Sequence, residues 1–500
     1  MGLARLYSRA LRGMNAPEVV VEVHVAGGLP AFSIVGLPDV EVRESRDRVR
    51  SAIQMSGFDF PARRITVNLA PADLPKESGR YDLPIALGVL LASGLIVSGV
   101  DVEQYEFAGE LALDGSLRKI SGALAIAHNI HGNKREFILS TDSAAEAALV
   151  HGVTVYRADS LNQVVTHLTG ECLLSRAETN VGLPACDIEN RLDFSQVVGQ
   201  IGAKNALEIA ASGRHSVLML GNPGCGKSML AERFATLLPP LTMDEALEVA
   251  SINSLCGKGF NLAQFGKIPF RQPHHSSSSV AIVGGGSNPK PGEISLAHRG
   301  VLFLDEIPEF GRNVLEMLRE PLETKSISIA RANNKAEFPA DFQLLAAMNP
   351  CPCGNHGHPY NTCKCSPEQV NKYMGRLSAP LLDRIDLIVE MPYLKTEDLT
   401  LYHAGMGSHI IRERVMKARE IQLQRQNKLN YALNLHEMEE HCRLDDNANK
   451  LLQSAATKLG LSARSYHKII RISRTIADIE QAVEITGRHV AQALQYKKKS

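Results

Sequence analysis

Short segments of alternating hydrophobic and polar residues fill the first third of the chain. PEVVVEVHV (17–25) and RRITVNLAP (63–71) show this alternation, and Gly and Pro residues bound such segments. The pattern is typical of short β-strands. Between them, VRESRDRVRSAIQMSG (42–57) has its hydrophobic residues at helical spacing. We therefore predict a mixed α/β domain over residues 1–176, followed by a polar linker at 177–196.

From residue 197 the pattern changes to nearly continuous apolar segments that alternate with helical ones. VLFL (301–304) and FQLLAAM (342–348) are examples. Strands of this kind are buried on both faces, which favours a parallel sheet covered by helices. After residue 395 the strand signals stop and amphipathic helices follow. The predicted fold class is α/β, with a parallel-sheet core over 197–395 and a helical lid over 396–500.

The most hydrophobic run, LPIALGVLLASGLIVSGV (83–100), is interrupted by Pro and Gly and flanked by Asp82 and Asp101. We predict a buried helix followed by a strand, and no membrane span. The N-terminus lacks the apolar region of a secretion signal, which points to the cytoplasm. Lys plus Arg and Asp plus Glu count 54 each, a formal net charge of zero. Overall charge therefore argues for neither nucleic acid nor membrane.

The stretch GNPGCGKS fits the pattern G-x-x-x-x-G-K-[ST] of a phosphate-binding loop. In that pattern, glycine amides wrap the phosphates of ATP, the lysine offsets their charge and the final hydroxyl ligates Mg²⁺. The lysine is Lys227 and the hydroxyl belongs to Ser228. The predicted nucleotide-binding residues are Gly221, Asn222, Pro223, Gly224, Cys225, Gly226, Lys227 and Ser228.

Two acidic residues follow the apolar segment 301–304. We predict that Asp305 holds Mg²⁺ and that Glu306 orients the water that attacks ATP. The alternative for such a pair is a strand that ends at the surface. The phosphate loop upstream favours the catalytic interpretation.

Three further residues are candidates for catalysis. Asn349 ends a buried strand and could bind the γ-phosphate or the water, although an Asn here could also cap the next segment. Arg384 could act on the nucleotide of a neighbouring subunit as an arginine finger, or it could pair with Asp383 or Asp386. Arg464, at the start of a lid helix, is predicted to be a second arginine sensor.

The order of these motifs resembles that of AAA+ ATPases, whose core is a P-loop fold. FRQPHHSSSSVAIVGGGSNPKPGEISLAHRGVLFLDE (270–306) and NPCPCG (349–354) resemble the magnesium chelatase branch, and within it the ComM/YifB group. The likeness spans essentially the whole chain. It implies a homo-oligomer, a ring of six subunits with ATP at the interfaces. It also implies a DNA helicase that migrates branched DNA while incoming single strands are integrated in natural transformation.

The N-terminal domain resembles the Lon protease type, which needs a serine nucleophile and a lysine that accepts its proton. In LPKESGRYDLPIALG (74–88), Tyr81 or Asp82 stands where the nucleophile aligns, and Ser78 comes several residues too early. Arg118 stands at the position of the lysine, and a guanidinium cannot act as a base near neutral pH. We therefore predict that this domain is not a peptidase.

Two hairpins are predicted in the core. VAIVGGGSN (280–288) reads as a hairpin tip, and SISIA and KAEFPA flank a turn near Arg331 and Lys335. In AAA+ helicases that this chain resembles, such a hairpin faces the central pore. Six copies of Arg331 and Lys335 could then contact the phosphates of single-stranded or branched DNA, with strong salt dependence. The alternative is two solvated charges on a turn.

One group of cysteines has the spacing of a metal site: Cys351, Cys353, Cys363 and Cys365. Two C-x-C pairs can bring four thiolates around a structural Zn²⁺, and the alternative is reduced thiols in a loop. The adjacent His274 and His275 could also bind a metal, although hydrogen bonding is the commoner role of such a pair.

Two rival functions stay open. The chain could be the motor subunit of a chelatase, or it could be a AAA+ protein that remodels or regulates a protein partner. Stimulation of ATP hydrolysis by DNA distinguishes the helicase from both.

Overall fold

The computed structural model of the chain describes residues 2–132, 135–178, 192–256, 260–286, 289–331, 334–393 and 405–497. It contains a mixed sheet of seven strands, a parallel sheet of five strands and a C-terminal group of helices. The predicted α/β fold class with a parallel core and a helical C-terminal region is confirmed. The domain boundaries at residues 176, 196 and 395 stay predictions. Residues 179–191 of the predicted linker and 396–404 of the predicted lid lie outside the described part.

The first part of the chain folds around the seven-stranded sheet. Its strands and those of a small hairpin are β1 Gly2–Arg9, β2 Glu18–Ala26, β3 Ala31–Val35, β4 Arg64–Ala70, β5 Tyr105–Phe107, β6 Glu110–Leu111, β7 Leu117–Arg118, β8 Glu136–Ser140 and β9 Val155–Ala158. The order is β3-β4-β2-β1-β5-β8-β9, with β2 antiparallel to both β1 and β4. Alternate residues of β2, such as Val19 and Val21, are fully buried, because successive side chains of a strand point to opposite faces.

Five helices accompany this sheet: α1 Val40–Met55, α2 Asp82–Ser93, α3 Ala123–Ile130, α4 Thr141–Ala147 and α5 Leu161–Thr169. Nearly every side chain of α2 is buried. The helix lies so close to β2 that a Cβ on Gly88 would stand 2.4 Å from Val23 Cγ2.

The buried helix predicted within 83–100 is therefore confirmed, but the strand predicted after it is wrong. Gly94 ends the helix at a φ of +75°. The following turns are held by a hydrogen bond from Gly99 N to Leu168 O at 2.7 Å, not by a sheet. Among the described residues, none of the helices is long and apolar enough to cross a bilayer.

The five-stranded sheet forms the centre of the chain. The strands from residue 217 onward are β10 Val217–Gly221, β11 Phe270–Arg271, β12 Gly284–Gly285, β13 Lys290–Pro291, β14 Val301–Leu304, β15 Ser326–Arg331, β16 Asn334–Pro339, β17 Gln343–Met348 and β18 Leu387–Met391. The sheet order is β11-β14-β17-β10-β18, and all neighbours are parallel. The segments that follow β10, β14 and β17 therefore meet at one edge.

Helices cover both faces of this sheet. Those of the core are α6 Ile201–Gly213, α7 Lys227–Phe234, α8 Met243–Ser254, α9 Ser279–Val283, α10 Glu293–Leu296, α11 Arg312–Met317, α12 Arg319–Thr324, α13 Pro367–Met374 and α14 Ala379–Leu382. The C-terminal helices are α15 Ser408–Gln426, α16 Leu435–His441, α17 Asp446–Leu459, α18 Ala463–Ile479 and α19 Gly487–Gln495. Short 3₁₀ helices are Gly79–Tyr81, Val102–Gln104, Phe194–Gln196, Ala235–Leu237, Leu262–Gln264, Ile307–Glu309 and Asn430–Ala432.

The C-terminal helices are tied to the core by α15 and α18, which pack against α6. Arg419 on α15 donates to the carbonyl of Ala211 at 2.6 and 2.8 Å. Within the group, Asp478 is fully buried and pairs with Arg425 and Arg474 at 2.6 and 3.0 Å. A buried carboxylate with two guanidinium partners keeps its charge compensated.

Two hairpins lie next to the five-stranded sheet, and Ile327 and Phe338 of one of them are buried in the hydrophobic core. Strands β15 and β16 pair from Ser326–Pro339 to Arg331–Asn334, which confirms the second predicted hairpin. The first was predicted at 280–288 and is partly wrong, because Ser278 caps a short helix, α9, by accepting from Ala281 N. The observed hairpin, β12 with β13, begins only at Gly284. The two hairpins are adjacent, since a Cβ on Gly284 would lie 2.7 Å from Ile329 Cδ1.

Candidate nucleotide site

The phosphate loop joins strand β10 to helix α7 at the carboxyl edge of the parallel sheet. Gly224 and Gly226 have φ angles of +80° and +93°, in the region that favours glycine. At both positions the space where a Cβ would stand is open to 4 Å. A turn of backbone N–H groups that leads into a helix N-terminus is suited to bind phosphate. The predicted nucleotide-binding residues 221–228 thus run from the last residue of β10 through this turn to the first two residues of α7.

The Lys227 side chain links the phosphate loop to the end of β17. It is 8% exposed, and its Nζ donates to Gly221 O at 2.6 Å, to Asn222 O at 3.0 Å and to Asn349 Oδ1 at 3.1 Å. Two residues predicted to be catalytic, Lys227 and Asn349, are therefore in direct contact.

Ser228 and Asp305 form the second contact at this edge. The Ser228 hydroxyl donates to Asp305 Oδ2 at 2.6 Å. Hydroxyl and carboxylate oxygens are the ligands that Mg²⁺ takes beside nucleotide phosphates. The donor set therefore fits the metal that was predicted for these two residues.

Glu306 follows Asp305 in a left-handed conformation, with φ of +49°. Its side chain is 50% exposed, and Oε2 lies 3.8 Å from His275 Nδ1. The sequence did not point to His275 as a neighbour of Glu306. The strand that brings the His275 loop to the carboxyl edge of the sheet is β11, which is only two residues long. So short a strand gives no recognisable pattern in the sequence. His274 shares a hydrogen bond of 2.7 Å with Ser276 Oγ, as expected for the non-metal alternative.

The two arginines predicted to act on nucleotide lie together around one carboxylate, Glu323 on helix α12. Arg384 Nη2 is 2.6 Å and Arg464 Nη2 is 3.2 Å from Glu323 Oε1. Arg384 also donates to Pro380 O at 2.7 Å. The pKa of Glu323 lies below its usual value, mainly because of the hydrogen bond from Arg384. We call the group formed by Glu323, Arg384 and Arg464 the Glu323 edge.

Between described residues, no hydrogen bond or ion pair joins the Arg384 side chain to Asp383 or Asp386, the alternative partners proposed for it. Asp386 Oδ2 instead accepts from Ser216 N at 3.0 Å. The Ser216 hydroxyl in turn donates to the backbone carbonyl of Arg384 at 2.9 Å. No hydrogen bond or ion pair between described residues joins the Arg384 or Arg464 side chain to Lys227, Asp305 or Asn349.

The four predicted metal-binding cysteines converge in the loop after Asn349. Their sulfur atoms lie within 4.8 Å of one another, and Cys351 Sγ is 3.4 Å from Cys353 Sγ and 3.7 Å from Cys363 Sγ. Sulfur atoms around a tetrahedral Zn²⁺ are about 3.8 Å apart for Zn–S bonds of about 2.3 Å. Cys351, Cys353, Cys363 and Cys365 therefore fit zinc, and among the described residues this is the one such group.

Comparison with known proteins covers both sheets and the C-terminal helices. Residues 193–399 match the family model of magnesium chelatase, subunit ChlI. Residues 21–143 match a model of subunit ChlI of Mg-chelatase, and 405–497 match the ChlI C-terminal model. The competence protein ComM of Haemophilus influenzae is 49% identical over 500 residues, 99% of this chain and 98% of the relative. The uncharacterized protein YifB of Escherichia coli is 46% identical, over 99% of this chain and 97% of the relative.

The chain belongs to the ComM/YifB family. This family is part of the magnesium chelatase-like AAA+ ATPases, so the ATPase class predicted from the motifs is confirmed. A more distant similarity, 27% identity over 218 residues, connects this ComM/YifB chain to the DNA helicase MCM8 of Bos taurus. That match covers 44% of this chain and 22% of the helicase.

The hairpin residues predicted to contact DNA are only partly described in this ComM/YifB chain. Arg331 ends β15 and Lys335 is the second residue of β16. The side chains of both lie outside the described part, so their role stays a prediction. A further cation, Lys290, is exposed on β13 of the adjacent hairpin. It was not singled out from the sequence because no motif marks it.

The Lon-like region places its polar residues differently from a serine–lysine dyad. The Ser78 hydroxyl accepts from Arg80 Nε at 2.8 Å, and a guanidinium cannot take its proton. Asp82 is buried and pairs with Arg48 at 2.7 Å, and Arg118 pairs with Glu110 at 3.5 Å. These contacts agree with the prediction that the domain is not a peptidase, and that prediction remains to be tested.

Proposed function

We propose that this chain is an ATP-driven DNA motor that works as a ring of six subunits in the cytoplasm. It would unwind or migrate branched DNA during recombination, including the integration of incoming single strands in natural transformation. The observation that carries the proposal is the separation of the catalytic groups. Lys227, Asp305 and Asn349 meet at the phosphate loop, whereas Arg384 and Arg464 meet at Glu323.

ATP hydrolysis in this proposal uses both regions. Lys227 offsets the charge of the phosphates, and Asn349 holds both Lys227 and the γ-phosphate in place. Ser228 and Asp305 would hold Mg²⁺, which supplies charge neutralisation at the transferred phosphoryl group. Glu306 orients the attacking water, and Arg384 of the next subunit stabilises the charge that develops on the phosphate oxygens.

Arg464 is proposed to act with Arg384. Both guanidinium groups contact the same carboxylate oxygen of Glu323, so the two are presented to the same space. An Arg384 that serves the neighbouring subunit would then bring Arg464 to the same nucleotide. Both arginines would therefore act on the nucleotide of the neighbouring subunit.

DNA is proposed as the polymer because of the two adjacent hairpins and the names of two relatives. One relative is named a competence protein and another a DNA helicase. Arg331 and Lys335 of one hairpin, with Lys290 of the other, would face the pore in six copies. Contacts of this kind address phosphates and not bases, so binding would be independent of sequence.

The test measures ATP hydrolysis by the full chain without DNA, with single-stranded DNA and with forked DNA, at two salt concentrations. We expect forked DNA to stimulate hydrolysis, and the stimulation to fall at the higher salt because phosphate contacts release counterions. Arg331→Ala with Lys335→Ala should abolish most of the stimulation while nucleotide affinity stays within about twofold, since no hydrogen bond between described residues joins the hairpin to residues 221–228.

A matched control is Lys450→Ala, which removes an exposed lysine on α17 and should leave the stimulation intact. Movement of the branch is then followed with a labelled four-way junction. Hydrolysis that ignores every DNA and responds only to a protein partner would contradict the proposal and favour the remodelling or chelatase alternatives.

A further inference from the structure

The cysteine loop packs directly on the phosphate loop. The Asn222 side chain is 7% exposed, and its Nδ2 donates to Gly354 O at 2.6 Å and to His356 O at 3.3 Å. Both acceptors belong to the loop between Cys353 and Cys363. A residue of the nucleotide site is therefore held by the backbone of the metal-binding loop.

A continuous set of contacts leads from one cysteine to the catalytic lysine. His356 N donates to Cys351 Sγ at 3.3 Å, and Gly354 N donates to Cys351 O at 3.0 Å. Asn222 joins these two residues to the phosphate loop, and its own carbonyl accepts from Lys227 Nζ at 3.0 Å. The cysteine loop and the catalytic lysine thus share Asn222 as a common partner.

Close packing reinforces these hydrogen bonds. Gly354 has a φ of +77°, and a Cβ there would lie 2.6 and 2.7 Å from Pro223 Cγ and Cδ. Contacts at such distances would push the two loops apart. Because residue 354 is a glycine, the cysteine loop can pack directly against Pro223, next to the contact with Asn222.

We propose that zinc bound by the four cysteines sets the affinity of the phosphate loop for nucleotide. Four thiolates on one metal cross-link residues 351–365, which restricts the conformations of the intervening loop. With that restriction, the carbonyls of Gly354 and His356 stay in place and hold Asn222. Without the metal, the loop has more freedom, and the phosphate loop loses the two acceptors that order it. The inference rests on the nucleotide site of the proposed function, but not on its DNA substrate.

The first test uses the full chain and two readouts, zinc per chain by mass spectrometry and the dissociation constant of a fluorescent ADP analogue. Zinc is removed with a chelator selective for it, in excess Mg²⁺ and a reducing agent, and is then added back. Because two hydrogen bonds to Asn222 depend on the loop, removal should weaken ADP binding about 5- to 20-fold, and zinc should restore it. Unchanged affinity after zinc has left, or a chain that never takes up zinc, would overturn the proposal.

The second test removes the link and keeps the ligands. Asn222→Ala should retain zinc, bind ADP more weakly and no longer respond to the chelator. A chelator response equal to that of the unaltered chain would show that the coupling does not pass through Asn222, which also overturns the proposal. The comparison of four states, with and without zinc and with and without the Asn222 side chain, measures the coupling directly.

The third test replaces two of the cysteines that would bind zinc. Cys363→Ser with Cys365→Ser should lose zinc and show the weaker ADP affinity without a chelator. Cys172→Ser, which alters an exposed cysteine outside the cluster, should change neither readout. If the double variant fails to fold, the chelation experiment on the unaltered chain still decides. A zinc-dependent ADP affinity in a chain that ignores DNA would end the proposed DNA motor and leave this inference standing.

Discussion

The phosphate loop and the Glu323 edge differ in how many of their polar side-chain groups find a partner within the same chain. At the phosphate loop, Lys227 has three oxygen acceptors, and Ser228 and Asp305 bond to each other, all within the same chain. At the Glu323 edge, Glu323 and Arg464 are each 48% exposed, and Arg384 Nε is buried without a partner among the described residues. Buried donors are rarely left unpaired in native proteins. The first region is satisfied within one chain, whereas the second leaves exposed charges and an unpaired donor, as the proposed contact with a neighbouring subunit requires.

Removal of the Arg384 side chain should have the largest effect on ATP hydrolysis. Arg384→Ala is expected to lower the rate of ATP hydrolysis about 10³-fold, because an arginine finger contributes about 10³ to 10⁵ in rate. Nucleotide affinity should change little, since Arg384 does not contact the phosphate loop of its own chain. Steady-state hydrolysis and ADP binding check the two statements separately. A variant that hydrolyses ATP at the unaltered rate would contradict the proposed role of Arg384.

Glu306→Gln should be the next most severe change, with hydrolysis lowered about 10²-fold or more through the loss of water activation. Mixing it with Arg384→Ala tests whether the two regions meet across subunits. Each variant keeps what the other lacks, so random co-assembly should create intact sites at about a quarter of the interfaces.

Measured hydrolysis in the mixture should therefore far exceed the mean of the two separate variants. A mixture that assembles, as seen by light scattering, yet stays inactive would mean that both residues serve the same subunit.

Glu323→Gln should have a moderate effect. The neutral amide no longer attracts the two guanidinium groups, so their positions become less defined, and hydrolysis should fall about tenfold with ADP affinity preserved. Glu320→Gln, an exposed acid on the same helix, is the matched control and should be silent. A rate increase in Glu323→Gln would instead identify Glu323 as a restraint on the arginines.

The smallest predicted effect concerns stability at low pH. Burial by itself raises the pKa of Asp386, but the hydrogen bond and charge of His215, with Lys468 and Ser216, lower it to about 2 from 3.8. Its stabilisation is therefore present above about pH 4 and is lost as the pH falls through about 2, and it amounts to at most about 2 kcal/mol.

Asp386→Asn should lower the free energy of unfolding at pH 7 and flatten its decline between pH 4 and 2. Denaturant unfolding across this range measures both. Asp383→Asn, three residues earlier and exposed, should leave the profile as it is. Equal profiles for Asp386→Asn and the unaltered chain would contradict the assignment.

The two regions also differ in how far the sequence could predict them. The phosphate loop, Asp305 and Asn349 each follow an apolar strand of one parallel sheet, and the carboxyl ends of such strands meet at one edge. Their proximity therefore follows from the motif order. Glu323 lies in a short helix without a motif. Its contact with Arg464 depends on the packing of the C-terminal helices, and its contact with Arg384 depends on the segment between α14 and β18.

Helix capping explains why two segments were predicted with the wrong type of secondary structure. Ser278 accepts from Ala281 N and starts a helix where glycine-rich sequence predicted a hairpin tip. Gly94 stops α2 so sharply that the apolar residues after it form turns. The contact of Asn222 with Gly354 joins residues that are distant in sequence, and a composition rich in Cys and Gly gave no sign of which surface the loop would cover.

Strand β10 has a role beyond holding the sheet together. The phosphate loop begins at its carboxyl end, and Ser216, immediately before its amino end, binds the carbonyl of Arg384 and the carboxylate of Asp386. Five extended residues span about 16 Å. Since β10 has a hydrogen-bonded strand on each side, the sheet holds its two ends at a set distance from each other. In the proposed ring, a displacement of the phosphate loop by bound nucleotide would therefore reach, through β10, the backbone of the arginine that we assign to the adjoining copy.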